Sequence, residues 1–293
     1  MIATQHIDQG VPVTFVLKAV GLSKSMYYYQ STGGAKGVRP STHTKTTTGE
    51  LISNEQVVTD IESLLQQEFV DYGYIKVTHW LRKNKNYVIN FKKVYRLMKG
   101  NRLLCQVIQR NRSGKQWVKY RVVKPDQPFE LLEFDIKYIY IHQAARNALL
   151  FTVIDVKSRL VMGWKLGWHM RKEDVIEVLC QAFATYRVPL KVTVRNDNGS
   201  QFEANMVRQY LRDADIIQEF TQPATPQQNG HIESYHSIIE RSICKRFEML
   251  GLAFANDVFE RFVEFYNNHR IHSGIGYESP MNYLNSLGIQ INH

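Results

Sequence analysis

The sequence predicts an α/β core, a mixed sheet flanked by helices, preceded by an all-α and strongly basic region. Three observations carry that expectation. After residue 126, three β-like segments are followed by β-like segments alternating with helical ones, an order that covers a mixed sheet with helices. Charge divides the 293 residues unevenly: positions 1–125 hold 20 Lys and Arg against 7 Asp and Glu, positions 126–293 hold 17 against 20, and the whole carries +10. Three acids stand out by context: Asp135 within LLEFDIKYIYI, Asp197 closing VTVRNDNGSQF, and Glu233 within TPQQNGHIESYHSIIE, with 35 residues between the last two.

In chain order, Val13, Phe15, Val16 and Val20 have helical spacing, Gly21 marks a turn, and Ser23 can cap a second short helix ending in three tyrosines. A helix-turn-helix and a plain αα-hairpin both fit that outline. STGGAKGVRPSTHTKTTTGE reads as an exposed linker, so 1–50 is a helix-turn-helix-like segment with its linker. Ser53 and Gln56 have capping-box spacing ahead of VVTDIESLLQQ. IKVTHWLRK and NFKKVYRLMKG follow. In the latter Asn90 can cap the start, Gly100 the end, and Phe91, Val94, Leu97 and Met98 form an apolar stripe. Lys92, Lys93, Arg96 and Lys99 lie mostly off it, leaving one face for a core and another for phosphates. From Tyr72 to Pro125 there are 15 basic residues and no acidic one. Such a stretch repels itself unless a polyanion compensates, so 51–125 is read as a basic helical DNA-binding region.

Beyond Pro125, strands are expected at Leu131–Ile141, Ala148–Asp155, Leu160–Trp168, Leu190–Arg195 and Ile217–Thr221. Helices are expected at Lys172–Arg187 and Asn205–Ala214, and from about Pro226 and Asn256. Asp135 shares a strand face with Glu133 and Lys137, which also fits an ordinary solvated face. Asp197 sits at a turn-rich strand exit, where a simple Asx turn is the plainer reading. Glu233 flanks the apolar stripe Ile232, Tyr235, Ile239 and Ile243 of a helix. Two aspartates ending or interrupting strands and a helical glutamate suit a pair of divalent cations about 3.5–4 Å apart for in-line phosphoryl transfer. Oxygen ligands favour Mg²⁺ or Mn²⁺ over zinc.

VTVRNDNGSQF, TPQQNGHIESYHS and FYNNHRIHSGIGYESPMNY resemble the catalytic core of insertion-sequence transposases related to retroviral integrases, and more narrowly the OrfB-type product of the insertion-sequence-three family. The similarity runs from about residue 11 to about 285, and Tyr72-Gly73-Tyr74 and Arg96-Leu97-Met98 match the family's helical DNA-binding segment. The resemblance implies an RNase H-like integrase core over 126–293 and a DDE transposase that cleaves and joins insertion-sequence ends with Mg²⁺, its catalytic and metal-binding triad falling on Asp135, Asp197 and Glu233. It implies DNA as partner, both element ends and target. It further implies a homo-oligomer on DNA and an upstream-frame (OrfA-type) product. Asp155, in a position where the family commonly carries an aspartate outside the triad, is assigned to a turn or supporting role. Asn229, one helical turn before Glu233, orients the carboxylate, touches DNA or starts the helix. Many relatives carry Lys or Arg where this chain has Glu240; Arg241 or Lys245 can reach a phosphate instead.

Other classes fit less well. No run approaches the roughly 18 apolar residues of a membrane span and the N-terminus lacks a secretion-signal layout, so the expected location is cytoplasmic and nucleoid-associated. Cys105, Cys180 and Cys244 are widely spaced, which argues for three buried free thiols rather than disulfides or zinc. Ser158 or Tyr266 as a covalent nucleophile has no surrounding arginine cluster. A catalytically inactive DNA-binding remnant is the alternative, and a hybrid nuclease of the same fold a third reading.

Overall fold

The computed structural model describes residues 2–29, 40–105, 125–186, 188, 191–221 and 229–289. The basic arm beyond residue 105 and the helix start expected at Pro226 lie outside them. The chain divides into two compact units, Met1–Thr42 and His43–His293.

The first unit contains three short helices, α1 (Ile2–Asp8), α2 (Val13–Ala19) and α3 (Lys24–Tyr27). Ser23 caps α3, accepting from the Met26 N–H at 3.2 Å. Val16 and Leu17 are buried, whereas Phe15 and Val20 are exposed.

The second unit opens with β1 (His43–Thr46), β2 (Leu51–Ser53), α4 (Asn54–Leu65), α5 (Tyr74–Asn84), β3 (Tyr87–Val88) and α6 (Phe91–Gly100). Helices dominate as expected, with a small antiparallel sheet added in the order β2-β1-β3. β1 corrects the linker reading of its residues. Thr44 and Thr46 face inward between exposed neighbours, a two-residue period that the overall polarity of the segment hides. Ser53 and Asn90 cap α4 and α6 as expected, accepting from Gln56 and Lys93 N–H groups. Val94, Leu97 and Met98 of α6 are buried, but Phe91 in its first turn is exposed.

The remaining elements are β4 (Leu131–Ile141), β5 (Arg146–Asp155), β6 (Val161–Gly167), α7 (Lys172–Tyr186), β7 (Thr193–Asn196), α8 (Ser200–Glu203), α9 (Asn205–Asp213), β8 (Ile217–Phe220), α10 (Gly230–Ile239), α11 (Leu252–Asn268) and α12 (Pro280–Ser286). They build a five-stranded mixed sheet in the order β6-β5-β4-β7-β8. β4, β5 and β6 are antiparallel, while β7 joins β4 and β8 in parallel. Hydrophobic burial holds helices to the sheet in two clusters. One joins Ile232, Tyr235 and Ile239 of α10 to Phe259 and Phe262 of α11. The other joins Phe134 and Phe151 of the sheet to Val178 of α7, Phe202 of α8 and Leu211 of α9. Gly163 lets α7 lie close on β6, because a Cβ there would stand 2.8 Å from a Val178 methyl. At the edge strand β6, the Asn267 side chain accepts from the Val161 N–H at 3.0 Å and donates to its carbonyl at 2.9 Å, standing in for a neighbouring strand.

The cysteines correct another expectation. All are free, but Cys105 and Cys180 are exposed and Cys244 is half-buried. Their wide spacing excluded pairing and carried no information about depth. Among the described residues no helix is long and apolar enough to cross a membrane.

Candidate active site

β4 runs through the middle of the sheet, and Glu133, Asp135 and Lys137 alternate onto one face. That face is covered by α10. Glu133 accepts the backbone N–H groups of His231 and Ile232 at 3.0 and 2.9 Å. Asp135 Oδ2 lies 3.7 Å from His236 Nδ1, and Lys137 Nζ lies 3.4 Å from Glu240. Two strand residues advance about 6.6–6.8 Å and four helical residues about 6 Å, so strand and helix stay in step over three contacts. The polar face that allowed a solvated-surface reading is a docking seam.

Glu133 was missed as a functional residue. Its side chain is 1% exposed, and the N-cap residue Asn229 makes no side-chain cap bond. The Glu133 carboxyl therefore does a cap's work from a neighbouring strand, and its Oε1 also lies 3.0 Å from His231 Nδ1. Burial pushes its pKa up to about 7, against the opposing effects of the Ile232 N–H, Arg195 and Arg159. The only sequence signal was an acid two residues from Asp135 on the same strand face.

Asp135 lies within β4, and Asp197 follows the end of its parallel neighbour β7. β4 and β7 pair as Leu131↔Thr193, Leu132↔Val194 and Glu133↔Arg195. That pairing stops short of Asp197, whose charge nevertheless acts on Asp135. Here β7 ends and the chain turns: Asp197 Oδ1 accepts the Gly199 N–H at 3.0 Å, so the Asx turn is present. Buried Asn196 donates to the Asp197 carbonyl and accepts from Gln218, while Asn198 donates to the Thr221 carbonyl, tying the turn to β8 and its exit. A Cβ at Gly199 would stand 3.1 Å from Asp197 Oδ1. Glu233 is exposed in the first turn of α10.

The electrostatics agree with a shared cluster. Burial raises the pKa of Asp135 to about 7, and the charges of Asp197, Glu233 and Glu133 push the same way, against its own bond from the Ile136 N–H. Glu233 is raised by burial and by Glu133. His236, inside the same seam, is lowered to about 4 by burial and by Lys137, which keeps it neutral near pH 7. The donor set fits a hard divalent cation in being all oxygen and mutually repulsive. As positioned, no three His, Cys, Asp or Glu groups among the described residues are close enough to share one ion. The carboxylates thus form an open set, with Asp135 half-buried and Asp197 and Glu233 exposed.

The expected DNA contacts divide. Lys92, Lys99 and Lys245 are exposed, whereas Lys93 donates to the His43 carbonyl and Arg96 is half-buried. Arg241 Nε is 3.0 Å from Asp71. Asn229 is buried, with its Oδ1 unpaired among the described residues. Glu240, set against Lys137, begins a π-turn (Glu240–Cys244) that changes the angle at which Lys245 leaves the helix. Asp155 takes the turn role expected of it, accepting from Phe129 N, Ser158 N and Ser158 Oγ. That occupies Ser158, and Tyr266 is buried, so neither is presented as a nucleophile.

A five-stranded mixed sheet flanked by helices, RNase H-like in its order of strands, defines the class as an integrase-like core. The family description "Integrase core domain" matches residues 125–226 and, in a second form, 214–280, together more than half of the chain. "HTH-like domain" matches residues 53–112. Relatives include the transposase for insertion sequence element IS904 of Lactococcus lactis, 24% identical over 79% of this chain and 94% of its own length. The transposase InsD of insertion element IS2 from Escherichia coli is 29% identical over 74% of each. The fold is also similar to a chain of the simian T-cell lymphotropic virus intasome solved with the PP2A regulatory subunit B56 gamma, with TM-score 0.50, 14% identity and coverage of 80% and 77%. The chain carries an integrase core domain and is similar over most of its length to insertion-sequence transposases.

Proposed function

We propose that this transposase cleaves insertion-sequence ends and joins them to target DNA, with Asp135, Asp197 and Glu233 as its catalytic and metal-binding residues. The observation that supports this reading is electrostatic: the charges of Asp197 and Glu233 both push the Asp135 pKa up, so the three carboxylates act on one another. Two Mg²⁺ ions, replaceable by Mn²⁺, would supply Lewis acidity to the attacking and departing oxygens. The chain's own part is to hold and orient. Asp135 is the half-buried member; Asp197 and Glu233 are exposed and would close on it around the ions. Glu133 positions the helix, and neutral His236 packs against Asp135 without cancelling its charge.

We assign residues 51–125 to DNA engagement, with Lys92 and Lys99 presented to phosphates, and residues 126–293 to catalysis. Lys245 rather than Arg241 takes the place of the basic residue that Glu240 displaces, because Asp71 already holds Arg241. A homo-oligomer spanning both element ends, an upstream-frame product as partner and a place at the nucleoid complete the proposal.

Replacing Asp197 with Asn removes a charge while keeping its shape and turn. Mg²⁺-dependent cleavage and joining of a duplex carrying the element's ends should fall by at least about 10³-fold, with end binding in a gel-shift assay retained. Joining at the wild-type rate by that variant would sink the metal assignment. Wild-type protein that binds ends but never cleaves them would mark a DNA-binding remnant.

A further inference from the structure

A cavity of about 420 Å³ lies in the larger unit, against the face of α10 that carries His231, Ser234 and Ile238 and against Arg241 in the π-turn that follows. Lys76 of α5, Arg159 of the β5–β6 hairpin and Arg270 beyond α11 close it. None of the residues lining it is a carboxylate. Asp71 lies behind, 3.0 Å from Arg241 Nε and 2.6 Å from Arg270 Nη2, and Arg159 is opposed by Glu133 and Asp155.

Two lining side chains are almost fully buried and still have hydrogen-bonding capacity. Arg270 is 1% exposed with Nε and Nη1 unpaired among the described residues, and His272 is 8% exposed with Nε2 unpaired. Burying charged donors without acceptors is costly, so native structures rarely do it without a reason. Lys76 gives the same indication: burial and then the Arg270 charge push it down to about 7. A neighbouring anion removes both penalties at once. A guanidinium fork matches the geometry of a phosphate, and the Ser234 hydroxyl adds a donor.

We propose that this cavity binds a phosphate group, and that with DNA present the group is a backbone phosphodiester close to the one offered to Glu233, the sequence neighbour of Ser234. The DNA source rests on the function proposed above; the phosphate chemistry does not. The cavity anchors the strand while the carboxylates act on it. It differs from the α6 lysines in being a pre-formed concavity with buried donors at its base and an exposed rim at Ser234 and Ser273.

The test uses the full chain and Lys76→Gln, a half-buried position whose change leaves the Asp71–Arg270 pair intact, with Ser234→Ala as a milder second variant. Unchanged near-ultraviolet circular dichroism establishes that each folds. Affinity for an end-bearing duplex is measured across a salt series, and melting of the DNA-free protein is followed with inorganic phosphate against chloride of equal ionic strength. Loss of one phosphate contact lowers affinity by about tenfold and the slope of log affinity on log salt by about 0.9. That result in Lys76→Gln supports a DNA phosphodiester. An unchanged slope, with a phosphate-specific melting rise of about 2–4 °C in the wild type that Lys76→Gln abolishes, supports free phosphate instead. Neither effect in either variant overturns the proposal. The readout is binding, so a chain that shows the slope change yet never cleaves DNA sinks the proposed activity and leaves the cavity standing.

Discussion

Glu133→Ala tests the idea that a strand carboxylate, rather than the N-cap residue, holds the helix of Glu233. The substitution strips the acceptor from two N–H groups. Ile232 N is buried and left without a partner, which costs about 2–3 kcal/mol; His231 N is part-buried and can recruit water, adding about 1 kcal/mol. The loss of about 3–4 kcal/mol corresponds to a melting temperature lower by about 10 °C in a unit of this size. Above pH 7 part of that loss is offset, because the buried carboxylate is itself disfavoured there, its pKa having been pushed up to about 7. The drop should therefore be larger at pH 6 than at pH 8. Glu133→Gln keeps one acceptor oxygen and should cost about 1 kcal/mol. For function, a shift of about 1 Å in α10 carries Glu233 off its position and should cost about 10²-fold in cleavage, with DNA affinity nearly unchanged. Differential scanning calorimetry and a cleavage time course measure both. An alanine variant that melts within about 2 °C of the wild type and cleaves normally would refute the reasoning.

Metal-free protein should lose stability as pH rises from about 4 to about 7. Asp135 and Glu133 are both raised to about 7, so the folded state binds protons that the unfolded chain has released; their contribution is full below the ordinary carboxyl range and gone above 7. Urea melts at pH 5 and 7.5 should show this, Mg²⁺ should restore the loss at 7.5, and Asp135→Asn should flatten the profile; the opposite slope refutes the cluster. Asn267→Ala removes two bonds to the edge strand and should cost about 2 kcal/mol in urea denaturation, whereas a neutral result would mean that water serves the edge equally well. Gly199→Val drives a side chain toward Asp197 Oδ1, so cleavage should fall at least about tenfold with melting little changed; equal losses in both would point to general misfolding.

Much of the fold was legible because its signals are local. The boundaries of β4 follow from an eleven-residue apolar run, and Ile232, Tyr235, Ile239 and Ile243 are buried as their helical spacing requires. Ser23, Ser53 and Asn90 cap the helices that they precede, since a cap needs only the next three residues. Where composition was averaged over a segment, period-two burial was lost: Thr44 and Thr46 form a strand inside a polar stretch. Cysteine depth was equally invisible, because spacing constrains pairing and not burial.

By itself the amino-acid order determined the class of sheet, the acids worth attention and the polyanion suited to the basic half, for each depends on neighbours along the chain. Only the tertiary structure decided what those acids do to one another. The action of the Asp197 charge on Asp135, the capture of α10 by Glu133 and the gathering of Lys76, Arg159 and Arg270 around one cavity join residues 62, 98 and up to 194 positions apart. Burial and Coulomb forces act through space, and a sequence lists only distance along the backbone.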